Sequence, residues 1–245
     1  MKVVFLGATK GIGRALARLM AERGDHLFLL GRDIDDLRFS ARDLELLGAG
    51  GGVGVAACDL LRPGTFGTAL DQAAASLDGL DAVVVTAALF AAQEELEEDQ
   101  DLRDRLLDAN FANTIRFCEH ARARLLAKGG GVLCVFSSVA GERARKPVIF
   151  YGATKAGLSY YLEGLDHKYR SRGLKTIVVK PGFVRTSMTA GLKPPPLAAE
   201  PEQVARVALK AIDKGRPAVY APQVWRAVML VIRNLPRWVM RRVEF

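Results

Sequence analysis

The sequence predicts a single α/β domain in which a doubly wound parallel sheet of about seven strands carries helices on both faces. Short apolar runs alternate with segments of helical periodicity along nearly the whole chain. This alternation is typical of parallel sheets whose strands are buried on both sides. The length of 245 residues suffices for one sizeable core. No repeat, low-complexity run or long linker divides the chain.

The elements follow one another in a regular order. The first strand is predicted at Lys2–Leu6, and a helix is predicted over Arg14–Arg23. Further strands are predicted at His26–Leu30, Val53–Cys58, Ala82–Thr86, Val132–Phe136, Lys175–Lys180 and Ala218–Tyr220. Long helices are predicted over Leu102–Lys128 and Phe150–Arg172, with the acidic run Glu94–Asp104 as a solvated helix start. We expect a catalytic domain over residues 1–223 and an amphipathic basic tail over 224–245.

A glycine-rich turn joins the first strand to the first helix. Gly7, Gly11 and Gly13 allow the chain to turn tightly, and they let backbone N–H groups approach a phosphate. Such a turn can also be a plain connection between a strand and a helix. Its place directly after a buried strand and before a helix favours dinucleotide binding.

A tyrosine and a lysine stand four residues apart in a predicted helix. Tyr151 and Lys155 therefore share one face, and an adjacent ammonium is expected to lower the pKa of the phenol. An isolated pair of this kind is usually a solvated helix face. Ser138, at the end of the fifth strand, supplies a polar partner and favours an acid–base site instead.

Taken together, these motifs resemble the classical short-chain dehydrogenase/reductase family, from Lys2 to about Ala221. The resemblance implies a Rossmann fold and a catalytic set of Asn110, Ser138, Tyr151 and Lys155. The residues assigned to the cofactor are Gly7, Thr9, Lys10, Gly11, Ile12, Gly13, Arg32, Asp59, Leu60, Thr86, Ala87, Tyr151, Lys155, Pro181, Gly182, Val184 and Thr186.

The resemblance also implies a reaction, hydride transfer between NADPH and a ketone or its reverse on a secondary alcohol. Ser138 and Tyr151 would bind the substrate oxygen, and Tyr151 would carry the proton. Lys155 would bind the nicotinamide ribose, and Asn110 would hold a water that relays protons. Ser137 is expected to point elsewhere, because side chains alternate along a strand.

One family signature is missing after the fourth strand. Where the family carries Asn-Asn-Ala-Gly, this chain has Thr86-Ala-Ala-Leu89. The change puts local backbone contacts to the cofactor in doubt. The alternative function is therefore a nucleotide-binding regulatory or scaffold homologue with little turnover.

Charge at the end of the second strand indicates the nucleotide. An acidic residue there would bind the ribose hydroxyls of NAD and repel a 2′-phosphate. Here Gly31 and Arg32 take that position, and Lys10 adds a second cation. NADP(H) is thus favoured over NAD(H), because a guanidinium pairs well with a phosphate. The alternative is that both cations are ordinary surface charges.

Composition excludes several other classes. The net charge of +8 is accompanied by no nucleic-acid recognition motif, so no nucleic-acid partner is expected. The three histidines lack metal-ligand spacing, and no metal is expected. An odd number of cysteines and a strand at the N-terminus favour a cytoplasmic protein without a secretory signal. We expect a homo-oligomer, either a dimer or a tetramer.

Two segments near the C-terminus are expected to serve the substrate. The loop Ser187–Leu197 has apolar residues suited to a lid over a large substrate. The tail from Val224 onwards mixes tryptophan, aliphatic residues and arginines, which suits peripheral contact with the inner face of a membrane. The alternative is that the tail packs on its own domain or on a second subunit. In the last third of the chain, four segments resemble decaprenylphosphoryl-ribose 2-keto-reductase-like proteins: Ala140–Arg145, Tyr151–Gly157, Pro181–Met188 and Ala227–Arg237. This resemblance implies a lipid-like carbonyl substrate.

Overall fold

The computed structural model describes residues Met1–Val243 and contains one parallel sheet. Glu244 and Phe245, the end of the predicted tail, lie outside the described residues. The strands are β1 (Lys2–Leu6), β2 (His26–Gly31), β3 (Gly54–Ala57), β4 (Ala82–Val85), β5 (Gly131–Phe136), β6 (Leu174–Pro181) and β7 (Ala218–Ala221). Their spatial order is β3-β2-β1-β4-β5-β6-β7, which confirms the predicted doubly wound α/β fold of the Rossmann type.

Helices cover both faces of this sheet. They are α1 (Gly11–Glu22), α2 (Ile34–Leu46), α3 (Phe66–Ser76), α4 (Gln93–Glu98), α5 (Gln100–Leu107), α6 (Asn113–Ala127), α7 (Ile149–Tyr169), α8 (Pro201–Lys214), α9 (Trp225–Asn234) and α10 (Arg237–Met240). Because side chains alternate along a strand, Val3 and Phe5 pack on the face covered by α1, α2 and α8. Val4 and Leu6 pack on the opposite face, with α3, α6 and α7. Every central strand is therefore apolar on both sides.

The long helix predicted over Leu102–Lys128 is interrupted. One π-helical turn, Asp108–Ala112, lies between α5 and α6. The acidic start predicted at Glu94–Asp104 is also divided, because the Asp99 carboxylate accepts a hydrogen bond from Leu102 N at 2.9 Å and begins a new helix there. The periodicity of the sequence identifies the helical segment but not these two breaks.

The chain reverses its direction of winding between β1 and β4. Strands β2 and β3 are added on one side of β1, and β4 pairs with β1 on the other side. At such a point the loops after the two strands diverge and leave a crevice at the carboxyl ends of the strands. Gly7 follows β1, Thr86 follows β4, Ser138 follows β5 and Pro181 ends β6, so all four reach this edge of the sheet.

Candidate functional site

A cavity of about 890 Å³ opens at the carboxyl edge of the sheet. Its lining includes most of the predicted site residues: Gly7, Lys10, Gly11, Ile12, Gly13, Thr86, Ser138, Tyr151, Lys155, Pro181, Gly182, Val184 and Thr186. The lining does not include Thr9, Arg32, Asp59, Leu60, Ala87 or Asn110. The structure thus brings the glycine-rich turn and the Ser138–Tyr151–Lys155 group into one space.

The glycine-rich turn depends on backbone that other residues rarely adopt. Gly7 has a φ of 103°, and a Cβ there would lie 2.6 Å from the amide nitrogen of Ala87. Helix α1 begins at Gly11, with no side chain capping its N-terminus and no acidic residue in its first turn. The first amides of the helix therefore remain available to an anion, and the turn fits the pyrophosphate of a dinucleotide.

Thr86 compensates for part of the missing family signature. Its hydroxyl donates to the Gly7 carbonyl at 2.7 Å, and the Ala87 amide donates to the Leu6 carbonyl at 3.1 Å. These bonds connect the loop after β4 directly to the glycine-rich turn. A threonine hydroxyl thus joins the two loops despite the missing signature, a contact that a single sequence does not show.

Asn110 secures the other end of the same loop. It lies in the π-helical turn, is 1% exposed, and accepts from Leu89 N and donates to Leu89 O, both at 2.7 Å. Both polar atoms of its side chain are therefore already engaged. The structure therefore places Asn110 as an anchor of the loop after β4, outside the lining of the cavity.

Ser138 follows the end of β5. Its hydroxyl accepts from Ala140 N at 3.1 Å, lies 3.5 Å from the Pro181 carbonyl and is close enough to the phenol of Tyr151 to lower the pKa of that group. Ser137 points the other way, where its hydroxyl donates to the Lys155 carbonyl at 2.9 Å. The Ser137 side chain therefore points elsewhere, as the alternation of the strand predicted.

The sequence predicted a lowered pKa for Tyr151, but the surroundings of the phenol raise it. Burial raises the pKa of this phenol to about 12, and the hydrogen bond with Ser138 offsets only part of the rise. The Lys155 ammonium lies 5.6 Å from the centre of the phenol ring and donates to the Phe136 carbonyl at 2.9 Å. Burial also lowers the pKa of Lys155 to about 8. The phenol is therefore in its protonated form near neutral pH.

Phe90 is a site residue that sequence reasoning missed. Its ring meets the Tyr151 ring edge-to-face, with centres 5.2 Å apart and planes at 82°. Phe90 also lines the cavity. The only sequence signal was its place one residue beyond the altered signature.

Several charged side chains lie near the end of β2. Arg32 is exposed and forms no hydrogen bond or ion pair with any residue from Met1 to Val243. The neighbouring Asp33 carboxylate accepts from the amides of Asp35 at 2.9 Å and Asp36 at 3.1 Å, so it caps α2. Lys10 lies 3.6 Å from the Asp36 carboxylate. The nearest acid is thus turned towards the helix, and Arg32 remains open to solvent.

Two further predicted residues follow β3. Asp59 accepts from Leu61 N at 3.0 Å, which closes a turn, and it is half-buried. Leu60 is buried in the core beneath this turn. Thr9 is half-buried within the glycine-rich turn.

Helix α9 forms one wall of the cavity. Trp225, Val228, Met229 and Ile232 line it, and the indole of Trp225 lies against Gly182. On this face of α9 the tail therefore packs on its own domain, which is one of the predicted alternatives. The opposite face leaves Leu230 69% and Val231 63% exposed.

Glu142 fastens this helix to the domain. Its carboxylate pairs with Lys180, accepts from the Tyr220 hydroxyl at 2.8 Å and lies 3.2 Å from the Arg233 guanidinium. Arg143 adds a hydrogen bond to the Leu235 carbonyl at 2.5 Å. The basic tail is thus held by a half-buried acid that the sequence alone did not connect with it.

The predicted lid lies across the same cavity. Met188, Leu192 and Leu197 line it, and each remains partly exposed. Hydrogen bonds from Arg185 N to Ala199 O and from Ala199 N to Phe183 O, both at 2.9 Å, pin the base of the loop. The loop is thereby fixed at its base, while its apolar side chains line the cavity.

Two other features bear on function. Between Met1 and Val243, no group of acidic, histidine or cysteine side chains is arranged to hold a metal ion. In the same part of the chain, every helix is too short or too polar to cross a membrane.

Known proteins resemble this chain along most of its length. A family model described as short chain dehydrogenase matches residues 1–196. An uncharacterized oxidoreductase of Mycobacterium tuberculosis is 31% identical over 241 residues, which cover 98% of this chain and 96% of the relative. One from Streptomyces coelicolor is 32% identical over 242 residues, covering 98% and 95%. A solved short-chain type dehydrogenase/reductase from Mycobacterium ulcerans has a TM-score of 0.82 at 23% identity, covering 93% of this chain and 89% of that one.

Proposed function

Because the chain belongs to the short-chain dehydrogenase family of oxidoreductases, we propose that it is an NADP(H)-dependent reductase of a ketone. The reverse reaction would oxidise a secondary alcohol. The observation that carries this proposal is the grouping of Ser138, Tyr151 and Lys155 in the cavity that also contains the glycine-rich turn. Carbonyl reduction needs an acid and an anion-stabilising donor at one point, and this grouping supplies both.

The residues present fit a nicotinamide dinucleotide. The uncapped N-terminus of α1 suits the pyrophosphate, and the segment from Pro181 to Thr186 lines the cavity beside Tyr151. When bound, the nicotinamide supplies or accepts a hydride. Lys155 donates one ammonium hydrogen to the Phe136 carbonyl and keeps two others for a ribose hydroxyl.

The proton chemistry follows from the side chains themselves. Tyr151 is protonated at neutral pH, so it can give its phenolic proton to a carbonyl oxygen that becomes an alkoxide. Ser138 donates a hydrogen bond to the same oxygen and thereby stabilises the developing charge. The Lys155 ammonium, close to the phenol ring, stabilises the phenolate that remains. In oxidation the same groups act in the opposite direction.

The preference for NADP(H) rests on Arg32. Its guanidinium is exposed and unpaired within residues 1–243, while Asp33 is occupied by the amides of α2. A 2′-phosphate at this edge would meet a cation, and the nearest carboxylate would point away from it. Lys10 supports this assignment, although it shares its charge with Asp36.

The substrate is proposed to be large and largely apolar. Aliphatic side chains of the lid and of α9 face each other across the cavity. A lipid-linked ketone suits such a lining.

A turnover assay that compares the native protein with Tyr151→Phe tests the proposed reductase function. NADPH oxidation is followed with a panel of aliphatic and aromatic ketones, and the substitution should abolish turnover while NADPH still binds. Tyr160→Phe is the matched control, because Tyr160 lies on the same helix, is 83% exposed and does not line the cavity. Tight NADPH binding without turnover of any ketone would favour the regulatory or scaffold alternative.

The outer face of the tail is proposed to contact an anionic membrane surface in the cytoplasm. Leu230, Val231 and Trp238 are exposed there beside several arginines. Leu230→Glu should reduce flotation with anionic vesicles, whereas Leu46→Glu, on α2 and 89% exposed, should not. Flotation that is absent at low salt, together with a dimer or tetramer that dissociates on Leu230→Glu, would assign this face to the proposed homo-oligomer.

A further inference from the structure

The charged side chains around the cavity all have the same sign. Lys10, Arg145, Lys155 and Lys193 line it, and no aspartate or glutamate from the described chain does. The rest of the lining is mostly aliphatic, aromatic or small. Cations with low-dielectric walls around them concentrate a positive potential, so this cavity favours anions.

Two of the four cations already have a role. Lys10 belongs to the glycine-rich turn and lies 3.6 Å from the Asp36 carboxylate. Lys155 belongs to the Tyr151 pair and donates to the Phe136 carbonyl. Lys193 is exposed on the lid. Arg145 is thus the half-buried cation that the proposed chemistry and cofactor do not use.

Arg145 has no counter-charge in the described structure. Its guanidinium forms no hydrogen bond or ion pair with any residue from Met1 to Val243. Its neighbours on the same loop are engaged, since Arg143 binds the Leu235 carbonyl and the Glu142 carboxylate is taken by Lys180, Tyr220 and Arg233. The nearest acid on this loop is therefore committed to holding α9.

An unpaired guanidinium in a half-buried position has lost part of its hydration, and an anionic ligand would replace that lost solvation. Charged groups lose hydration on burial, and they normally recover it through an ion pair or hydrogen bonds. Burial lowers the pKa of Arg145, and no acidic neighbour opposes that effect. The planar fork of an arginine matches the paired oxygens of a carboxylate or phosphate.

We infer that the substrate carries an anionic group, a carboxylate or a phosphate, which Arg145 binds while the apolar body of the substrate lies against α9. This inference rests on the proposed reductase function and specifies its substrate class. Arg145 acts here as a specificity-determining residue. The ketone would face Ser138 and Tyr151 in the same cavity.

Kinetics with matched substrates test the inference. A ten-carbon keto acid with its ketone next to the terminal methyl group is compared with its methyl ester and with the corresponding keto-alkyl phosphate. NADPH oxidation gives kcat/KM for each. In the native protein an anionic substrate should exceed the ester, and Arg145→Gln should reduce the ratio of that anion to the ester by about tenfold or more. Whichever anion shows the larger loss identifies the group that Arg145 binds.

Two further variants make the result specific. Arg145→Lys keeps the positive charge but lacks the two parallel N–H donors of a guanidinium. Its anion-to-ester ratio of kcat/KM should therefore lie between those of Arg145→Gln and the native protein. Arg226→Gln removes an exposed arginine that does not line the cavity, and it should leave the ratio unchanged. An anion-to-ester ratio that is the same in the native protein and in Arg145→Gln, with both folded by thermal melting, would overturn the inference.

A binding measurement separates this inference from the proposed reaction. Calorimetric titration of decanoate and of decyl phosphate into the protein with NADP⁺ needs no turnover. Binding of either probe that weakens at least about tenfold in Arg145→Gln supports an anion site even if every ketone proves inert. Turnover of ketones without any Arg145-dependent binding of either anion supports the reductase and refutes the anion site.

Discussion

Replacing Gly182 by alanine should move the C-terminal helix away from the cavity. Gly182 follows β6, and the indole of Trp225 covers it so closely that a Cβ would lie 1.9 Å from Nε1 and 2.1 Å from Cε2. Non-bonded heavy atoms settle at roughly 3.5 Å, so the indole must withdraw by about 1.5 Å. Trp225 begins α9, and its shift would disturb the wall formed with Val228 and Met229.

The magnitude follows from where the strain can be relieved. Overpacking of this kind costs about 1–3 kcal/mol of unfolding free energy. The sheet is rigid, whereas α9 is an edge helix fastened mainly by Glu142 and Arg143. We therefore expect α9, and not the sheet, to move. The Trp225 indole nitrogen is buried and has no hydrogen-bond partner in the described chain, so it should gain water as it moves.

Tryptophan fluorescence reports this movement directly. In a Trp238→Phe background, Trp225 is the single tryptophan, and Gly182→Ala should shift its emission to the red and reduce stability in urea. Gly164→Ala is the matched control, because a Cβ there meets nothing within 4 Å on α7. That control should leave the emission unchanged and stabilise the helix by up to about 1 kcal/mol. Unchanged emission and stability in Gly182→Ala would refute the placement of Trp225 over Gly182.

Three other predictions concern the cofactor, the buried lysine and the lid. Arg32→Ala should weaken NADPH binding by about tenfold or more and spare NADH, measured by fluorescence titration, and equal losses for both would contradict the phosphate assignment. Burial lowers the pKa of Lys155 from 10.5 to about 8. The contribution of this group to the free energy of unfolding is therefore fully present above pH 10.5 and is lost as the pH falls through 8. Unfolding free energy should therefore rise by about 2 kcal/mol between pH 7 and 9.5 from Lys155 alone, a rise that Lys155→Met should remove in urea titrations. Thermolysin cleavage at Leu192 should slow when NADP⁺ and a decyl ligand are bound together, and equal cleavage rates would count against closure of the lid.

Several features of this protein were determined by the sequence itself. The order of strands and helices could be predicted because each parallel strand is a short apolar run and each helix has its own periodicity. The glycine-rich turn and the Tyr151–Lys155 pair were equally accessible, since their geometry depends on residues only a few positions apart. Ser137 and Ser138 were distinguished by the alternation of a strand. In each case, the chemistry depends on neighbours in sequence.

Tertiary structure decided what distant segments do to one another. Thr86 on the Gly7 carbonyl, Asn110 on Leu89 and Phe90 on Tyr151 hold the loop after β4 through contacts that no local pattern encodes. The same holds for the pKa of Tyr151, since burial by the surrounding protein raises it and Ser138 offsets only part of the rise.

The tail shows the difference most clearly. Its sequence suited a membrane surface, a second subunit or its own domain equally well, because amphipathic periodicity identifies an apolar face but not its partner. The inner face of α9 packs on its own domain, because Glu142 pairs with Arg233 and Gly182 leaves room for the indole of Trp225. Desolvation and close packing depend on all the atoms that surround a group, and only the folded chain brings those atoms together.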